Sequence, residues 1–346
     1  MSEHRVEIIE IGEILPHPNP EVTRLELTHV LGWQCCIVKG QFKQGDKAVY
    51  LEPDYVVPVS HPSFAFLKKK EGQTQERIRV RKFKGALSQG LLIEVPPELS
   101  HLPVGTNVIE MLGIERYEPP IEKSTGGVFV GGPSGIYAPN FDVENIQRYM
   151  NAFVAGEEVV VTEKLDGANA RYVFAKDPDG NWKQFCGSRR HWMDEDDKNI
   201  WWMAFRKYPQ IGEWCQSNPE TILYGEVFGQ SRRKCEISPG KIQILCYGAK
   251  QNDIFFAAFA MLYKNDWVDY DVAKASTDAS GVPWAPLIYR GPFDISLMNL
   301  AEGPSTWPGA DHIREGICIV PVHERTHHRL GRVILKVVSN TYLEKT

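Results

Sequence analysis

The sequence predicts an α+β protein of two domains: a small β-barrel or sandwich, then a larger domain of mixed strands and helices. Three observations lead there. The chain has 346 residues, more than one hydrophobic core commonly serves. Residues 5 to 115 divide into short apolar and β-branched runs separated by Gly and Pro turns. Around 117 to 135 the composition shifts to YEPPIEKSTGGVFVGGPSG, rich in Pro, Gly and Ser. That shift sets the expected domains at 1–128 and 129–346.

The first domain reads as the strands VEIIEIGEIL, LELTHVLG, WQCCIV, KAVYLE, RIRVRKF and GLLIEV, with breakers such as PHPNP and KGQFKQGD between them. The Gly-rich boundary lacks the Gly-Lys-Ser/Thr ending of a phosphate-cradling loop, so it reads as a linker. Asp142 then reads as the N-cap of a helix reaching Phe153, with Val143, Ile146, Met150 and Phe153 as its apolar stripe. VVVT and ANARYVF flank the turn around Lys164, and DPDG at 177–180 marks the next one. A second helix is expected over 199 to 207. Trp201, Trp202 and Phe205 there suit a core, and the acids Asp194 to Asp197 before it favour a helix start. ILYGEVFG, KIQILCYGAK, IFFAAFAML, GICIVPV and RVILKVV complete the strands.

Composition excludes some classes. No apolar run approaches the ~18 residues of a membrane helix. The start, MSEHRVEIIEIGE, lacks the apolar stretch of a secretory signal. The seven cysteines include no CxxC pair, which favours reduced thiols in an intracellular, cytoplasmic setting. The net charge of −5 does not itself advertise a nucleic-acid partner. Its distribution does: KKKEGQTQERIRVRKFK, 68 to 84, holds eight Lys or Arg against two Glu. On one strand, Arg77, Arg79 and Arg81 would share a face at a spacing of ~6–7 Å. That row suits either a phosphate backbone or a solvated edge strand protected by charge.

VTEKLDGANAR, 161 to 171, puts Lys164 at a strand end, with Gly167 free to bend or to admit a close neighbour. Three later strands carry unexpected charges. Glu226 lies in LYGEVFG, Glu315 opens EGICIVPV, and Lys336 lies in RVILKVV. Acids and lysines are rarely buried without partners, so together they suggest convergence on one ligand.

The order KxDG, Ser-Arg, YGE, EG and a terminal strand lysine resembles the covalent nucleotidyltransferases: DNA ligases, RNA ligases and mRNA capping enzymes. EKLDGAN is most similar to RNA ligases. With ILPHPNPEVTRLELTHVLGWQCCIVKGQFKQGDKAVYLEPD, the chain resembles the ATP-dependent RNA ligases of the Deinococcus and Naegleria type. The resemblance implies an OB-like domain followed by a nucleotidyltransferase domain of antiparallel sheets and helices. Capping enzymes and most DNA ligases carry the OB domain second.

The resemblance further implies ATP and Mg²⁺ or Mn²⁺ as cofactors, and RNA with 3′-hydroxyl and 5′-phosphate ends as partner, at a nicked duplex, with the enzyme a monomer. Lys164 would be the nucleophile that carries AMP, its pKa lowered by a nearby cation. Lys336 would bind the α-phosphate. Glu226 would hold the ribose or a metal-bound water, and Glu315 and Asp166 would orient water on the metal ion. Glu163, Gly167 and Asn169 would line the nucleotide. Arg189, with Arg190 as fallback, would meet ribose or the RNA end. Phe256 would stack on adenine. From their charge pattern in an OB-like domain, and not from the resemblance, Arg77, Arg79, Arg81, Lys82 and Phe83 are candidates to grip the 3′-hydroxyl strand. Two positions depart from the family pattern: Ile334, where a lysine is usual, and Ala260, where an aspartate is usual. They support an alternative, a binding module impaired in catalysis. HERTH, 323 to 327, matches a zinc-peptidase pattern, but Pro321 and Gly331 around it predict a hairpin rather than the required helix.

Overall fold

The computed structural model describes residues 5–53, 55–117, 129–197, 199–229, 245–250 and 253–345. The chain divides into two compact units, Ser2–Pro120 and Ile121–Thr346.

The first unit is built of short antiparallel strands. Lys47–Leu51 sits between Glu7–Glu10 and Leu91–Glu94, and Leu25–Val30 between Ile14–Pro16 and Trp33–Val38. Alternation divides the Lys47–Leu51 strand between two cores. Val49 and Leu51 enter one with Ile8 and Phe64; Ala48 and Tyr50 enter the other with Ile9 and Trp33. A strand that feeds apolar side chains to both faces must be covered on both, and short curved sheets achieve this.

In the second unit, two sheets carry the architecture. A seven-stranded sheet contains Gly167–Lys176 between Trp182–Ser188 and Thr221–Gly229, with Ile254–Tyr263 beyond. A five-stranded sheet contains Glu158–Lys164 between Leu287–Pro292 and Gly316–Pro321, with Leu335–Val338 next to the latter. Helices Ile200–Lys207 and Pro209–Ser217 pack on the larger sheet. The first is capped by Asn199, whose side chain accepts from the amides of Trp201 and Trp202. Trp201, Trp202 and Trp214 are buried there, as the sequence predicts for the first two.

Several expectations need correction. No α-helix runs from Asp142 to Phe153. Glu144–Asn145 instead pairs in parallel with Leu335–Val338, and a short 3-10 turn, Ile146–Arg148, follows with Asn145 as its cap. Of the expected apolar stripe, Ile146 and Phe153 are buried in the core of the five-stranded sheet, while Met150 is exposed. Pairing with the sheet edge overrides the helical spacing. RIRVRKF is not one strand but two, Gln75–Arg77 and Arg81–Phe83, which pair with different partners. Of KIQILCYGAK, residues 241–244 lie outside the described residues, and 245–250 form no strand. HERTH lies in a hairpin, with Thr326–His327 paired to Gly331–Arg332. Its His323 meets Asp269 and its Glu324 pairs with Arg332, so its groups are spent on structure. Among the described residues, no helix is long and apolar enough to cross a membrane.

Candidate active site

The site forms where the chain passes from one sheet to the other. Glu158–Lys164 ends in the five-stranded sheet and Gly167–Lys176 begins in the seven-stranded sheet, leaving only Leu165 and Asp166 to cross. Leu165 is buried in the main core and anchors the turn. Gly167 is required by close approach: a Cβ there would lie 2.3 Å from the Val227 carbonyl oxygen. Gly316, opposite Lys164, is equally tight, since its Cβ would lie 2.1 Å from the Val337 carbonyl oxygen.

The sheet registers bring the predicted charges together. Lys164 Nζ donates to Glu315 Oε1 at 2.6 Å, across 151 residues of chain. Thr162 stands opposite Cys318, and Cys318 opposite Lys336, so Lys336 shares the face of Lys164. In the other sheet Glu226 stands opposite Asn169. The Lys164 and Glu315 side chains are 25% and 13% exposed, closed enough to pair strongly and open enough to be reached.

The chain's own groups do not by themselves make the lysine neutral. Burial pushes the Lys164 ammonium down, but attraction from Glu315, with Glu226 contributing, outweighs it and the pKa rises. The surroundings provided by the chain alone therefore hold the lysine charged rather than neutral. Burial raises the Glu315 carboxyl despite Lys164 and Lys336. Burial also pushes the neighbouring Cys318 thiol up to about 11, so it stays protonated beside the lysine.

The donor set fits a hydrated divalent cation. Glu315 Oε2 and Asn169 Oδ1 are both buried without a hydrogen-bond partner, and hard oxygen donors suit such an ion. Among the described residues no three His, Cys, Asp or Glu side chains group to hold a metal directly. These two oxygens could hold such an ion directly or through its water.

Other predicted residues have different surroundings. The Glu163 carboxylate accepts from Ser305 Oγ at 2.5 Å and from Thr306 N and Oγ1 at 2.6 and 2.7 Å, so its charge serves the 305–306 loop rather than a nucleotide. Arg189 Nη1 donates to Asp142 at 2.7 Å and is partly exposed, while Arg190 is exposed. Phe256 is fully buried and cannot stack on a ligand. Ala257 stands opposite Glu226, so Phe256 next to it points to the other face. There it meets Tyr172 edge-on at 5.3 Å. Phe255, partly buried, faces as Glu226 does and touches Phe228 and Trp307. Ile334 and Ala260 are packed in the core.

The basic stretch of the first unit is broken up. The Arg77 guanidinium lies 3.7 Å from the centre of the Tyr117 ring, and Arg81 pairs with Glu76 at 3.3 Å. Arg79, Lys82 and Phe83 are exposed. A cleft of about 590 Å³ is lined by Lys69, Lys70, Gln73, Glu76, Arg79 and Arg81. The cations therefore surround a concavity instead of forming a row.

Two tyrosines at the turn escape sequence reasoning. Tyr247 Oη accepts from the Asp166 amide at 2.7 Å. The Tyr342 phenol, held up by burial and by nearby Asp166 and Glu315, hydrogen-bonds the Asp166 side chain. Neither has a local pattern that marks it. The only hint is aromatic residues in polar, turn-rich surroundings.

Comparison with known proteins agrees with this arrangement. A family described as RNA ligase matches residues 157–338, and an OB-fold domain matches residues 6–95. No curated protein sequence matches the chain. Among solved structures, Naegleria gruberi RNA ligase with PPi superposes with a TM-score of 0.78 at 27% identity, covering 99% of each chain. A Lys-to-Ala variant of that ligase with ATP and Mn gives 0.78 at 28%, again over 99% of each. A Lys-to-Met variant with AMP and Mn gives 0.77 at 27%, over 99% of this chain and 98% of that one. With more than half of its length matched by the family, and its paired lysine and glutamate inside the matched region, the chain belongs to the RNA ligase family.

Proposed function

We propose that this RNA ligase is ATP-dependent, joins a 3′-hydroxyl to a 5′-phosphate at a nick in RNA as a monomer, and carries AMP on Lys164. The observation that carries this reading is the Lys164–Glu315 contact of 2.6 Å at the junction of the two sheets. The N. gruberi structures with ATP, AMP, Mn and PPi support the choice of nucleotide and metal.

In the first step neutral Lys164 Nζ attacks the α-phosphorus of ATP. A phosphorus–nitrogen bond forms, and the bond to pyrophosphate breaks. The lysine must first lose a proton, and Glu315 Oε1 is the acceptor within hydrogen-bond reach. Lys336 neutralises charge at the α-phosphate, and Glu226 binds the ribose hydroxyls. Asn169, Asp166 and Glu315 would hold a divalent cation through its water, and Arg189 would meet the RNA end. A bound divalent cation supplies Lewis-acid polarisation of phosphate oxygens. In the second step AMP passes from Lys164 to the 5′-phosphate, regenerating the amine. In the third the 3′-hydroxyl attacks that activated phosphate and AMP leaves.

The first unit, the OB-fold domain, would hold the 3′-hydroxyl strand through its cationic cleft and the exposed Arg79, Lys82 and Phe83. The test is sealing of nicked duplexes with ATP and Mg²⁺ or Mn²⁺, in which only the sugar at the 3′-hydroxyl end changes between RNA and DNA. Joining of the RNA-ended nick is expected. No joining of any nick would leave the alternative of a binding module.

A further inference from the structure

We propose that Tyr247, locked by His312, is a positioning residue that sets the Lys164–Gly167 turn for adenylyl transfer; this rests on Lys164 being the nucleophile. The turn crosses between sheets, so its amides cannot rely on a strand ladder. The Asp166 N–H goes instead to a phenol: Tyr247 Oη accepts it at 2.7 Å. The tyrosine comes from 81 residues away and is fully buried. A core tyrosine commonly sends its hydroxyl to a carbonyl or to water. This one ends at the single gap between two sheets that carries the lysine.

Tyr247 is held in a costly conformation. Its φ of 54° lies in the left-handed region, which aromatic residues seldom adopt. Three features keep it there. Its N–H donates to His312 Nε2 at 3.0 Å. His312 Nδ1 lies 2.8 Å from the Ile313 carbonyl oxygen, so Nδ1 carries the proton and Nε2 accepts. Gly248 follows, and a Cβ on it would lie 2.4 Å from the Gly309 carbonyl oxygen. The Tyr247 ring is also fixed edge-on against His312 at 4.6 Å and Phe228 at 4.8 Å. His312 lies three residues before Glu315. One short segment thus carries the partner of Lys164 and, through Tyr247, holds the turn on which Lys164 ends. Strain of this kind persists only where the surroundings fix it, and here it adjoins the reacting groups.

Tyr247→Phe keeps the ring contacts and removes the acceptor. The experiment uses the full chain and compares two rates: lysyl-AMP formation in single turnovers across ATP concentrations, and sealing of a nick already adenylylated at its 5′-phosphate, which bypasses Lys164. A positioning role predicts a loss of about tenfold or more in lysyl-AMP formation at saturating ATP, with the ATP concentration for half-maximal rate within about threefold. The bypass reaction should lose much less. If Tyr247→Phe does not fold, His312→Ala should show the same selective loss and His312→Gln, which offers an acceptor to the Tyr247 amide, should restore the rate. Equal losses in both reactions, or unchanged lysyl-AMP formation, would overturn the inference alone. Absence of lysyl-AMP on the wild type would overturn the proposed function with it.

Discussion

Two stretches of this chain carry cations in strand-like sequence, and they fold differently. Glu158–Lys164 has a strand on each side, buried valines at 159 to 161, and its lysine delivered to a carboxylate from a distant strand. Residues 77 to 83 alternate Arg with Ile and Val but split into two three-residue strands, each with one partner. An alternating pattern fixes a face only where the apolar half of it is buried along the whole run. Ile78 is buried, Val80 only partly, and both lie in the break between the two strands. Charge placement in the first stretch is thus a consequence of packing. In the second it follows local ion pairs such as Arg81 with Glu76.

The comparison can be broken most forcefully at Phe256, on a strand of the same buried kind. Phe256→Ala should cost about 3–5 kcal/mol in urea unfolding, as a large core truncation does, and should leave ATP affinity of the folded protein unchanged. A raised KM for ATP with little loss of stability would return Phe256 to the adenine pocket. Glu315→Gln should lower lysyl-AMP formation by roughly 10²-fold or more. The same change removes the main attraction that raises Lys164, so the lysine pKa, read by pH-dependent acylation of the side chain, should fall. In the wild type that pairing contributes fully from the ordinary lysine value of about 10.4 down to the pH at which Glu315 takes up a proton, and it is lost as pH rises through the raised lysine value. The first-step rate should climb with pH over the neutral to alkaline range.

Gly316→Ala comes next, at about 1–3 kcal/mol of stability, because the added methyl meets a strand carbonyl rather than a flexible side chain. The smallest effects belong to the exposed stretch. Arg79→Glu and Arg81→Glu should each weaken RNA binding and lower its salt dependence, the slope of log K against log salt falling by about 1 per lost phosphate contact. Arg79 should matter more, since Arg81 is already partnered by Glu76. Equal and undiminished binding in both variants would make this stretch only a protected edge.

The legibility of the sequence follows the same division. Lys164, Glu226, Glu315 and Lys336 were visible as charges in apolar strands, because burying an ion demands a partner. Which partner was not visible: the Lys164–Glu315 pairing depends on strand register across 151 residues. Phe255 and Phe256 look alike in sequence, and only the register against Glu226 tells which of them faces the site. The helix expected after Asp142 lost to sheet pairing at Glu144–Asn145. Tyr247 could not be found, since its role arises from one amide at a turn and a histidine 65 residues later.

The central claim is that Lys164 takes up the adenylyl group. The wild type and Lys164→Ala should be incubated with α-labelled ATP and Mg²⁺ or Mn²⁺, then denatured. Label should remain bound to the wild type, released by acid as expected for a phosphoramidate, and be missing from the variant. Label retained by Lys164→Ala, or bound to a different residue of the wild type, would contradict the account.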